Sequence, residues 1–107
     1  MNKSILIHEE KGKVEEIYLD ISPHKNEIFL LLGGRQTFIG QWPDIDVVIM
    51  KAEDGLTKNE NELPHPFHNE EVRGKIPLVR MDEDSNPQDF TLHEYESFLG
   101  RNKRLPV

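Results

Sequence analysis

Two histidines stand three residues apart in Pro64-His65-Pro66-Phe67-His68. Zinc sites use such spacings, but a zinc ion needs three or four ligands. The chain has no cysteine, and His8, His24 and His93 fall in three other segments. The same string also reads as a stiff, polyproline-like loop with its imidazoles in solvent. Asp82-Glu83-Asp84-Ser85-Asn86 opens like a calcium loop, with oxygen donors at its first, third and fifth places. Its sixth place should be glycine and is Pro87; its twelfth should be a bidentate glutamate and is His93. Asp44 and Asp46 flank Ile45, and residues two apart along a strand share a side. Paired carboxylates do acid–base work when their surroundings push their pKa values apart. Directly after Pro43, however, Asp44 reads first as a turn residue. Gly33-Gly34-Arg35 lacks the phosphate-loop spacings and follows a helical stretch instead of opening one. Ser4, Ser22, Ser85 and Ser97 lie outside any nucleophile-elbow motif. No catalytic residue, bound metal or cofactor is expected, and the chain reads as a non-enzyme.

What remains is recognition. Trp42 and Pro43, with Leu63, Pro64, Phe67 and His68, offer an aromatic anchor, pre-ordered prolines and an acidic rim. These six are the candidate binding residues. Trp42 is read first as core or half-buried and second as an exposed hot spot.

These residues must be positioned by a small set of elements. Ser4–Glu9 and Val14–Asp20 read as two short strands around a turn containing Gly12. Ser22 is expected to cap a helix with Pro23 at its first position; Ile28, Leu31 and Leu32 share one face, and Gly33 ends it. Gln36–Gln41 is a strand, and Trp42-Pro43-Asp44 turns the chain. The apolar run in Asp46–Lys51 predicts a central strand covered on both faces. Residues 57–71 hold only two large apolar side chains, Leu63 and Phe67, and read as a long surface loop pinned by them. Val72–Met81 resumes strand character, with Pro77 placing it at an edge or near a bulge. Thr91-Leu92-His93-Glu94 fits a capping box opening a short helix that buries Leu92, Tyr95, Phe98 and Leu99 and stops at Gly100. The predicted class is α+β. It has about five mostly antiparallel strands and two short helices (order ββαβββα), the helices packed on one face. Residues 1–100 form one domain and 101–107 a basic tail.

The chain has 107 residues, with 13 Lys and Arg against 20 Asp and Glu, for a net charge of −7. That balance argues against a nucleic-acid backbone as partner and against docking on anionic membranes. The longest apolar run, Ile28–Leu32, is far short of the roughly 20 residues of a membrane span. The N-terminal stretch lacks the apolar core of a signal peptide. The expected location is the cytoplasm, and the expected partner is another protein. Self-association through a free sheet edge, as in a structural or accessory component, is a second reading. A third treats the acidic runs in 53–71 and 82–96 as a decoy that imitates nucleic acid before a basic protein.

Several ordered strings stand together: Leu32-Gly33-Gly34, then Gly40-Gln41-Trp42-Pro43-Asp44-Ile45-Asp46-Val47-Val48-Ile49-Met50, then Glu62-Leu63-Pro64-His65-Pro66-Phe67. Val72-Arg73-Gly74-Lys75-Ile76-Pro77-Leu78-Val79-Arg80-Met81 and Pro87-Gln88-Asp89-Phe90-Thr91-Leu92-His93-Glu94-Tyr95 follow. From Ile5 to Phe98 the chain resembles a family of small uncharacterised proteins of large DNA viruses of algae and protists and of some microbial eukaryotes. More loosely, its helix–Gly-Gly–strand start resembles phage-encoded domains. The resemblance implies one compact domain and a viral setting, and it offers no catalytic residues to carry over.

Overall fold

The computed structural model describes residues 2–104. β1 (Asn2–Ile7) and β2 (Val14–Leu19) form an antiparallel hairpin. Gly12, at a φ of 81°, supplies the left-handed residue its turn needs. β3 (Gln36–Trp42) and β4 (Val47–Ala52) form a second hairpin, bulged between Phe38 and Gly40. β5 (Ile76–Met81) lies between the two, pairing antiparallel with β1 on one side and β4 on the other. The sheet order is β2-β1-β5-β4-β3, and a two-residue strand, β6 (Pro87–Gln88), pairs with the end of β5. The architecture is α+β with an antiparallel sheet and two helices, α1 (Glu27–Leu32) and α2 (Leu92–Arg104).

Pro77 therefore stands in the middle strand, not at an edge. The β4–β5 ladder runs from Arg80 to Leu78 and ends just before the proline, so its missing donor falls where that ladder has stopped. The strand itself begins at Ile76 instead of Val72.

The helices lie on opposite faces, against the expectation that both pack on one. Between β2 and β3 the chain crosses the whole sheet, and α1 covers that face, with Ile28, Leu31 and Leu32 over Leu19, Met50 and Val79. Between β4 and β5, and again after β5, the chain crosses the other face. There Leu63, Val72, Phe90, Tyr95 and Phe98 pack over Ile5, Val47, Ile49, Ile76 and Leu78. The strands carry the corresponding signal, because Ile5-Leu6-Ile7 in β1 and Ile76 to Val79 in β5 are buried on both sides.

The helix ends follow local chemistry. Ser22 makes no side-chain cap, and residues 23–25 form a 3-10 turn before Asn26, at a φ of 55°, opens α1. Asp20 instead accepts the Ser22 backbone N–H, and Glu27 accepts that of Asp20. Gly33 caps α1 in the left-handed region at a φ of 74°. At α2 the box is formed as predicted: the Glu94 N–H donates to the Thr91 hydroxyl at 3.1 Å and the Thr91 N–H to the Glu94 carboxylate at 3.2 Å. Gly100 does not stop α2, which runs on to Arg104, so the first four residues of the expected basic tail are helical. Residues 105–107 lie outside the described residues.

Candidate functional site

The six candidate residues come together, but mostly inward. Trp42 ends β3 on the α2 face and is 3% exposed; Leu63 is also 3% exposed, and Pro64 is buried. The Trp42 indole N–H donates to the His65 carbonyl at 3.1 Å, and its ring lies 4.8 Å from that of Phe98. Phe67 is half-buried, 6.3 Å from Trp42, with the tip of its ring against Gly40. A Cβ at Gly40 would stand 2.4 Å from the tip of that ring, so this close approach requires glycine. The loop is thus a lid on the core. Of the six candidates, only Pro43, His68 and the outer edge of Phe67 face solvent.

The other singled-out groups are placed as follows. His65 and His68 stack at 5.5 Å on the outside of the loop. Among the described residues, no three His, Asp or Glu side chains gather around a point that could hold a metal ion. Asp44 and Asp46 are exposed on the turn after β3, where Asp46 adopts a φ of 55° to end a 3-10 turn. The Asp82 carboxylate accepts the backbone N–H groups of Asp84 and Asn86, both at 2.9 Å, and so closes its own turn. The Asn86 bond holds the Asp82 carboxyl below the ordinary range.

Two polar anchors went unread in the sequence. Asn61 donates to the carbonyls of His8 and Glu10 at 2.8 and 2.9 Å and accepts the Gly12 N–H at 2.8 Å, tying the loop to the first hairpin. Arg80 donates to the Ile45 and Asp89 carbonyls and pairs with Glu94 while stacking over Phe90. Burial opposes ionisation of Glu94, yet the bonds from Arg80 and Thr91 outweigh it and hold its carboxyl low.

Apart from Tyr18 on β2, the exposed large apolar side chains of the strands and helices lie on the opposite side. Phe29 is 50% exposed, Leu30 72% and Phe38 59%. Phe29 and Phe38 border two adjoining clefts of about 360 Å³ each, which share Ile28 and Gln36. Leu30 and the exposed Leu56 border a third. The signal for Phe29 and Leu30 was present: five consecutive apolar residues on a helix cannot all face inward, and three of them already do.

What these features define is a small α+β domain with an antiparallel sheet covered on both faces. The chain belongs to the family of unknown function DUF5880, which it matches over residues 5–98. No curated protein and no solved structure matches it. No helix among the described residues is long and apolar enough to cross a membrane.

Proposed function

We propose that this protein is a non-enzymatic interaction module, acting inside a cell, that holds a protein partner with the α1 side of its sheet. One observation carries this reading. A helix of six residues is the cover of that face, and it leaves two aromatics and a leucine in solvent beside open clefts. Apolar groups gathered in this way mark contact sites more often than isolated ones do. That the protein is virus-encoded, as the resemblance implies, belongs to the same proposal. The Trp42–Pro43 turn with the 63–68 loop is the alternative contact surface, through Pro43, Phe67 and His68.

Affinity capture with three baits separates the two. A partner on the α1 side is lost with Phe29→Ser/Leu30→Ser and kept with Phe67→Ala. The reverse pattern moves the contact to the loop, and retention by both variants overturns both surfaces.

A second reading, the acidic decoy, is favoured by the loop tether. The Glu60 N–H donates to the Glu9 carbonyl at 2.8 Å, which ties the acidic loop to the hairpin tip, where Glu9 and Glu10 are followed by Lys11 and Lys13. Binding of that kind falls steeply between low and moderate salt. Salt-independent capture excludes it.

A further inference from the structure

The sheet ends in two edges that differ in character. β2 carries Glu15 and Glu16, both exposed, the sort of charge with which an edge strand refuses a stranger. β3, Gln-Thr-Phe-Ile-Gly-Gln-Trp, carries no charge at all along its seven residues. We propose that β3 is a pairing edge for a second copy of this chain, joined antiparallel about a two-fold axis at the bulge. This edge borders the α1-side surface and shares Phe38 with it, whereas Phe29 and Leu30 lie away from the pairing strand on α1.

The register follows from the faces. A two-fold axis that makes strands antiparallel stands perpendicular to the sheet, so each face of one copy continues into the same face of the other. On β3 the bulge resets the alternation. Phe38 opposes Met50 and Gln41 opposes Val48, both toward α1, whereas Trp42 opposes Val47 toward α2. Phe38 of one copy must therefore sit across from Gln41 of the other. That register carries Arg35, exposed at the start of β3, against the turn at its far end, where Asp44 and Asp46 are exposed. Opposite charges at opposite ends of one strand are self-complementary only in an antiparallel pair. The two Phe38 rings become diagonal neighbours, roughly 7–8 Å apart, within reach of one another. A side chain 59% exposed in the single chain then gains a partner.

Sedimentation equilibrium of the full chain, at physiological ionic strength to screen the net charge, tests this directly. A monomer–dimer equilibrium is expected. Arg35→Asp should raise the dissociation constant about tenfold or more, and Asp44→Arg/Asp46→Arg likewise, because each reverses two symmetry-related contacts. Combining all three substitutions should restore association, a rescue that neither misfolding nor an unrelated interface produces. Phe38→Lys should leave a monomer with an unchanged unfolding midpoint. A strict monomer at millimolar concentration overturns the proposal. So does a dimer indifferent to Phe38→Lys, or one with no charge-swap rescue.

Discussion

The two faces of the sheet are built from the same strands and covered in different ways. On the α2 side a thirteen-residue helix and a long loop bury Trp42, Leu63, Phe90 and Phe98. Arg80 and Asn61 then lock the helix and the loop in place. On the α1 side a single short helix leaves Ile17, Ile21, Val48 and Met81 half-buried and Phe38 outside. Apolar content alone does not make a core; a face becomes one when a cover long enough to span it is also held by polar anchors. The apolar surface left over on the thinly covered face is available for other contacts.

The sharpest way to break this contrast is truncation on each side. Trp42→Ala should cost about 3–5 kcal/mol, the usual loss for a buried aromatic, and Phe29→Ala less than about 0.5 kcal/mol, as for exposed positions. Urea unfolding midpoints measure both, and equal losses would erase the distinction. Next in size is the loop anchor. Asn61→Ala removes bonds to His8, Glu10 and Gly12, which should cost about 2 kcal/mol. Hydrogen exchange should show the loop opening while β1 and β5 stay protected.

The buried face also has an alkaline limit. Burial pushes the Tyr95 hydroxyl up to about 12 from its ordinary 10.0. The native state thus resists ionisation that the unfolded chain accepts, so this stabilisation is complete below pH 10 and is lost as pH rises toward 12. The loss should reach roughly 2–3 kcal/mol, and Tyr95→Phe should flatten that limb of the stability profile. The smallest effect is a gain. Gly100 lies inside α2 with nothing within 4 Å of where a Cβ would stand, so Gly100→Ala should stabilise by about 0.5–1 kcal/mol, read as a raised thermal midpoint.

Much of this was legible from local chemistry. The first hairpin, the Gly33 cap and the Thr91–Glu94 box depend on a few adjacent residues, and each is formed as their types dictate. Trp42 as core also follows from its type. What escaped depends on residues far apart. Pro77 looked like an edge residue because a proline's tolerance in a strand is decided by where the neighbouring ladder ends, and no local pattern records that. The helices were placed on one face because an apolar stripe says that a helix packs, not which side of the sheet its connection crosses. Gly100 looked like a stop, yet a glycine at ordinary helical angles only weakens a helix. The candidate binding residues were chosen for their types, and burial then claimed Trp42 and Leu63 for the lid over the core.

The position of β5 has a consequence for how the chain comes into being. The strand that joins the two hairpins is made after both of them. As the polypeptide leaves the ribosome, β1 and β4 each present a bare flank with no neighbour until Ile76–Met81 arrives. Closing pairs such as Ile5 with Leu78 is a long-range step, slower than forming either hairpin. A nascent chain halted before Ile76 would hold two separate ribbons prone to sticking, the kind of intermediate that chaperones guard.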